Sequence, residues 1–355
     1  IDKACGEGLM PAGVAALAAL GVSPPARSMP FRGIRYVSDG VVAEADFPGG
    51  EAGAGRGIRR TELHAALVAR AAGVGVELVW GERVEEVRAG EVRTARTSFP
   101  CRFVVGADGL HSRVRRSAGL EAAGVGVGRW SPQARFGVAR HLRLAPWSER
   151  VEVTFGRAAE AYVTPLADDE VGVAILWSGG KAGFDELAAT RFDAQFAERL
   201  AAGETLGRDH GAGPLYRPTR GAVAGGGRIA LVGDAAGYVD ALTGEGLSLG
   251  FESALALAAA LAAGDLAPYT RKLARISAVP LGLTRLLLVA ARRPWLRRRL
   301  VAALAADLPL FADLLGLLGA RRPLRELRMG RALRLCGRLA WPLEGVPAAT
   351  RMPPT

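Results

Sequence analysis

The sequence has only three cysteines, Cys5, Cys101 and Cys336, far apart and without a CxxC pair, which argues against a disulfide framework and a cysteine zinc site. Asparagine is absent, and Lys3, Lys181 and Lys272 are the only lysines among 46 basic residues, so the net charge of +11 is carried by arginine. Arginine and alanine in place of lysine and asparagine mark compositional bias, and the charge is read that way before it is read as a nucleic-acid footprint. His64, His111 and His210 form no cluster at metal-ligand spacing, and no Ser-His-Asp set occurs, so no metal is expected. No charged-then-apolar leader opens the chain, and charge interrupts each long apolar run, which leads to the expectation of a cytoplasmic protein.

What is present is the balance of a globular enzyme: 355 residues, half of them apolar, enough for two packed lobes. Residues 13–20 repeat apolar positions at helical spacing, with Pro24 and Pro25 expected to close the helix. Residues 31–37 and 41–47 read as a hairpin about Ser38-Asp39-Gly40. An amphipathic helix over 61–72 precedes an expected buried strand at 76–80, the pattern of a parallel crossover. Residues 83–97 alternate as a meander, 103–105 read as a buried strand, and a helix should follow at 112–118. Gly124 to Gly128 is the expected crossing into a second lobe of antiparallel strands at 135–144, 151–155, 161–166 and 171–177, followed by a helix over 184–200. A strand at 228–233 returns to the first lobe, 247–263 is a long alanine-leucine helix, and arginine-rich helices fill the rest.

Two glycine-acid turns each follow a buried strand. One is VVGADG, carrying Gly106, Asp108 and Gly109; the other is ALVGDAAG, carrying Gly233 and Asp234. In each, an apolar strand delivers a glycine that lets backbone approach a ligand and a carboxylate that can accept hydroxyl hydrogen bonds. Ligands in open α/β sheets gather at such strand ends. Either turn alone reads equally well as a helix cap. Shortly after the second turn, Thr243-Gly244-Glu245-Gly246-Leu247 opens the long helix, whose unpaired amides and positive dipole end suit an electron-rich ligand edge; capping by Thr243 is the plainer alternative.

In their order along the chain these motifs resemble the FAD-dependent hydroxylase superfamily, which includes para-hydroxybenzoate hydroxylase-like enzymes, geranylgeranyl reductases and flavin-dependent halogenases. The resemblance runs through residue 263. It implies FAD as cofactor and NAD(P)H as reductant, with Gly106, Asp108 and Gly109 near the flavin pyrophosphate, Asp234 with Gly233 on the ribityl chain, and Gly244, Glu245, Gly246 and Leu247 under the pyrimidine edge of the ring. Two further stretches match: Ala4-Cys5-Gly6-Glu7-Gly8-Leu9-Met10-Pro11 is similar to the loop beside the isoalloxazine, and Arg60 leads a helix that touches the flavin. The fold implied is α/β: an FAD-binding Rossmann-like, three-layer ββα domain over 1–30, 56–124 and 215–265, an antiparallel-sheet substrate domain over 31–55 and 125–214, and a C-terminal helical region over 266–355. The family's first strand, GxGxxG turn and helix are not in this sequence, so the expectation is that this stretch by itself holds FAD weakly or acts as a non-catalytic fragment.

Within the superfamily, Ala161-Tyr162-Val163-Thr164-Pro165 lacks the tryptophan motif of halogenases, and only Lys181 stands in the second lobe, so halogenation is set aside. A monooxygenase acting on an aromatic or polyketide-like small molecule is the leading expectation, and reduction of prenyl double bonds is the alternative, since a cysteine-glycine pair like Cys5-Gly6 recurs in the geranylgeranyl reductase branch. No catalytic side chain is singled out, because hydroxylation needs a water-excluding pocket rather than a protein nucleophile. His141, Tyr162 and Trp177 are candidate substrate contacts, each equally readable as sheet packing. Leu296, Leu300 and Leu304 form a stripe opposite Arg297, Arg298 and Arg299, continued by Leu308, Leu315 and Leu318 with Arg321, Arg322 and Arg325. This stripe suits either a helical cap with a solvated arginine face or a peripheral membrane contact.

Overall fold

The computed structural model describes residues 2–122 and 134–326, and beyond them the single positions 330, 337 and 339. The expected crossing at Gly124 to Gly128 lies outside the described residues, as do Cys336 and most of the chain past 326.

Strand β1 (Gly8–Leu9) leads into helix α1 (Pro11–Ala19), whose first-turn proline costs no hydrogen bond because that N–H has no intrahelical acceptor. Gly21, at φ 73°, ends the helix before Pro24 is reached, so the stop comes from a left-handed glycine rather than from the proline pair. After β2 (Ser28–Phe31), β3 (Gly33–Ser38) and β4 (Val41–Asp46) pair antiparallel around Asp39 and Gly40. Both turn residues have positive φ, 50° and 78°, the backbone a two-residue hairpin needs to match strand twist. Strand β5 (Gly55–Ile58) lies between β1 and β2 in a small antiparallel sheet and delivers α2 (Arg60–Gly73).

The expected strand at 76–80 does not form. Val76, Val79 and Trp80 are exposed, and no described strand offers this segment a partner, so its apolar character alone cannot make it extended sheet. The meander does form, as β6 (Val84–Arg88), β7 (Glu91–Thr94) and β8 (Ser98–Pro100), followed by β9 (Val104–Gly106) and the short helix α3 (Arg113–Ser117).

The second lobe comprises β10 (Arg135–Arg143), β11 (Val151–Phe155), β12 (Ala159–Ala167) and β13 (Glu170–Ser178), then α4 (Phe184–Arg191), α5 (Ala194–Ala201) and β14 (Glu204–Ala212). The single helix expected over 184–200 is two, because Asp193 accepts from the Phe196 amide and caps a new start. With β3 and β4 these strands make a seven-stranded sheet in the order β14-β10-β13-β12-β11-β3-β4, parallel only where β11 meets β3. One face buries Val173, Ile175 and Trp177 with Phe184 and Phe196 of α4 and α5; the opposite face turns toward the first lobe.

The chain returns through β15 (Val223–Ala224) and β16 (Ile229–Leu231), which pairs in parallel with β9, and then enters α6 (Gly246–Ala262). Helices α7 (Ala267–Ala291), α8 (Pro294–Ala305) and α9 (Leu308–Gly319) complete the described fold. Leu304, Leu315 and Leu318 are buried, so half of the leucine stripe is packed into the protein, whereas Leu308 is exposed. Arg297, expected on a solvated face, is also buried; its guanidinium donates to Ser38 Oγ at 3.1 Å and to the Gly156 carbonyl at 2.7 Å, fixing α8 to the seven-stranded sheet. Contrary to the expectation that charge breaks every apolar run, α7 is long and apolar enough to cross a bilayer by length and composition.

Candidate active site

Between the lobes lies a cavity of about 460 Å³. Its floor is built by the three sequence motifs together: Asp108 and Gly109 after β9, Asp234 after β16, and Gly244, Gly246 and Leu247 at the start of α6. β9 and β16 are parallel neighbours, with Leu231 in register with Gly106, so both turns leave the same sheet edge and meet the N-terminus of α6. The loop from Lys3 to Gly8 and Arg60 at the start of α2 complete the rim.

The individual side chains divide the work differently from the sequence expectation. The Asp108 carboxylate accepts from Ser112 Oγ at 2.5 Å and from the amides of Arg113 and Val114 at 2.6 and 3.1 Å. It caps α3, the plainer of the two readings, while Asp108, Gly109, Leu110 and His111 line the cavity. Gly106 does not line the cavity; an added Cβ would sit 2.8 Å from Val114 Cβ, so glycine is required for strand-helix packing. Gly233, at φ 55°, likewise shapes the turn without lining the cavity. Asp234 is the carboxylate that faces inward: burial raises its affinity for a proton, opposed by the nearby charges of Lys3 and Arg60.

Glu245 turns away from the cavity. Its carboxylate lies 2.7 Å from Arg321 Nη2, and burial pushes its pKa up to about 7 even against that cation. Thr243, whose capping of α6 was the plainer alternative, places its hydroxyl 2.9 Å from that of Thr284 on α7, and no side chain caps the helix. The first turn of α6 is therefore pinned from outside by α7 and by Arg321, leaving its amides directed at the cavity.

The loop beside the cavity is held through Glu7, a buried residue at φ 58°. Its Oε1 accepts from the Arg60 amide at 2.7 Å, and Oε2 lies 2.7 Å from His141 Nε2. Cys5 Sγ accepts from the Glu7 amide at 3.4 Å, and burial followed by the Glu7 charge keeps this thiol protonated above its ordinary range. Lys3, which the sequence reading passed over because it belongs to no motif, also lines the cavity and contributes its charge to the surroundings of Asp234 and Cys5.

Ile34, Tyr36 and Leu176 of the seven-stranded sheet, with Phe31 of β2 and Phe47 just past β4, make an apolar wall. Tyr162 belongs to this wall, with its hydroxyl donating to the Leu242 carbonyl at 2.8 Å. Trp177 does not: along β13, Ala174 and Leu176 face the cavity, so period-two alternation puts Trp177 on the other face, where its ring meets Phe136 and its Nε1 donates to the Gly180 carbonyl. His141 is on the cavity side of β10 but lies beneath Glu7, outside the lining. Leu315 and Leu318 of α9 close the cavity from the C-terminal region, a contribution no local motif announced.

This arrangement suits FAD. An inward carboxylate at Asp234, a helix N-terminus bare of a side-chain cap, glycines at 6, 109, 244 and 246, and a buried Arg60 Nε without a hydrogen-bond partner together provide polar donors and close backbone approach along one side of an otherwise apolar chamber. Residues 52–163 match the family model described as FAD binding domain. That match covers about a third of the chain and agrees with the resemblance to the FAD-dependent hydroxylase superfamily drawn from the motifs. With this domain and the relatives below, it is an FAD-dependent oxidoreductase.

Among curated proteins, the menaquinone reductase of Mycobacterium tuberculosis is 28% identical over 298 residues, covering 75% of this chain and 69% of that protein. Among solved structures, PqsL of Pseudomonas aeruginosa, described as a probable FAD-dependent monooxygenase, superposes with a TM-score of 0.62 at 22% identity, over 88% of this chain and 89% of that one. A flavoprotein/dehydrogenase from Cytophaga hutchinsonii reaches a TM-score of 0.70 at 16% identity, over 88% and 84%. At these identities the structural likenesses speak to the fold, which is the flavoprotein hydroxylase architecture of two lobes about a shared cavity.

Proposed function

We propose that this flavoprotein reduces a carbon-carbon double bond in the prenyl chain of a lipophilic quinone-like substrate, with NAD(P)H as the source of electrons. The observation that carries the reading is the position of Cys5: a protonated thiol at the rim of an otherwise apolar cavity, beside the glycines and carboxylate suited to a flavin. Bound FAD supplies two-electron hydride chemistry at that floor. Saturating a double bond then needs one hydride at one carbon and one proton at the other, and the Cys5 Sγ–H provides the proton, to be restored from solvent through the loop. Phe31, Ile34, Phe47 and Leu176 hold the chain by apolar contact and exclude water. The menaquinone reductase relatives support a substrate of this class.

Hydroxylation of an aromatic substrate is the second reading, favoured by the same dry chamber and by the likeness to PqsL. The two part on oxygen. The protein supplied with FAD, NADPH and a detergent-dispersed prenyl quinone should yield, without oxygen, a product heavier by two hydrogens that keeps this mass after air oxidation of the quinone ring. A product heavier by one oxygen, formed only aerobically, would replace the first reading with the second. Return of the original mass on exposure to air would mean that only the quinone ring had been reduced.

A further inference from the structure

The outer face of α7 belongs to neither the cavity nor the core. Arg271, Arg275, Ala278, Gly282, Arg285 and Val289 are all exposed, and their spacing of 4, 3, 4, 3 and 4 residues lays them along one side of the helix. Leu286 flanks this stripe at 67% exposure, and Trp295, just past the turn into α8, is 57% exposed. Between residues 267 and 319 the sequence has nine basic residues and two acidic ones. Eight of the nine, all but Arg297, have no ion pair or hydrogen bond to a carboxylate among the described residues, and Arg299 donates to the Leu339 carbonyl.

We infer that this face, with the start of α8, docks the protein in the plane of an anionic lipid bilayer. Unpaired arginines and a lysine meet lipid phosphates, while Leu286, Val289 and Trp295 enter the acyl boundary, the combination that gives interfacial helices their affinity. The opposite side of α7 is fastened along its length: Tyr269 donates to the Leu231 carbonyl at 2.7 Å, Thr284 meets Thr243, and Leu288 is buried. Those attachments hold the helix against the protein, so it lies on the membrane although it is long enough to span one. Because Thr243 precedes the cavity glycine Gly244, and α9 lines the cavity with Leu315 and Leu318, the docked helices are continuous with the chamber. The inference deepens the prenyl-substrate reading by naming where a lipid-dissolved substrate would be met, and rests on it for that step alone.

The test is sedimentation of the full chain, with FAD present, on vesicles of phosphatidylcholine or of phosphatidylcholine with phosphatidylglycerol. Binding is expected to the anionic vesicles, to weaken with salt, and to fall at least tenfold in L286E/V289E with no change in Tm, since both positions are exposed. Brominated lipids should quench a fluorescence component that W295F lacks. Equal binding of wild type and L286E/V289E would overturn the inference. So would absence of vesicle binding, whether the face then proves to bind heparin or to make a dimer that L286E/V289E dissociates. If vesicle binding fails while detergent-dispersed substrate is still reduced, docking falls and the activity stands; docking without reduction or hydroxylation separates them the other way.

Discussion

His141 Nε2 sits 2.7 Å from Glu7 Oε2, so a buried strand of the second lobe holds the loop that carries Cys5. Since the other Glu7 oxygen accepts from the Arg60 amide, one carboxylate ties three elements to the cavity rim. Glu7→Ala should leave a buried imidazole and a buried amide without their partner and destabilise the fold by about 2 to 4 kcal/mol. Glu7→Gln keeps an acceptor for the amide and should cost less than half as much. Thermal unfolding and FAD titration check both; an alanine variant as stable and as flavin-competent as wild type would dismiss the anchoring role.

Asp234 is expected to behave in the opposite way. Its burial is unfavourable to the charged form and serves the cavity rather than the fold. Asp234→Asn should therefore leave Tm unchanged or raised while weakening FAD about tenfold, on the order of 1.4 kcal/mol. Fluorescence titration of FAD gives the first number and calorimetry the second.

Cys5→Ser removes the softer proton donor while keeping its size. Flavin binding should persist within about twofold and prenyl reduction should fall by about two orders of magnitude, the usual range for a lost general acid. The rate of flavin reduction by NAD(P)H, measured by stopped flow, should be unaffected, which separates loss of the proton donor from a damaged site.

Glu245 gives a pH dependence with a defined sign. Its folded pKa of about 7 lies above its ordinary 4.5, so the native state holds the proton more tightly than the unfolded chain. The associated stability is complete below about pH 4.5 and is lost as pH rises to 7, amounting to about 3 kcal/mol for a shift of this size. Glu245→Gln should remove that slope between pH 5 and 7.5. Parallel curves of unfolding free energy against pH for the two proteins would show that Glu245 does not titrate there.

Arg135 holds two buried carboxylates at once, Asp240 Oδ2 at 2.8 Å and Glu160 Oε2 at 2.5 Å, joining the seven-stranded sheet to the segment that leads into the α6 motif. Arg135→Ala would strand both acids and should cost about 3 to 5 kcal/mol at neutral pH. Restoration of part of that loss on acidification, as the acids take up protons, would be seen in the denaturant midpoint.

Much of the cavity floor was legible in sequence because its signals are local: an apolar strand, a glycine and an acid within a few residues, then a helix start. The parts that were not legible depend on neighbours. Strand β14 has little alternation of apolar and polar residues and forms because β10 offers it an edge. Residues 76–80 have the apolar character of a strand and find no such edge among the described residues. The same acid type serves as a helix cap at Asp108 and as a cavity group at Asp234, since only at 108 do Ser112 and the first amides of α3 fold back within reach.

The sequence by itself determined that two strand-end turns and one helix start would lie in the order of a flavin-binding chain, because short-range backbone chemistry is written in consecutive residues. Only the tertiary structure decided that Lys3 and α9 join them, that Trp177 turns away, that Arg297 is buried and that the outer face of α7 is left open. Those outcomes depend on which surfaces meet across hundreds of residues, and burial and electrostatics act through that distance in space rather than along the chain.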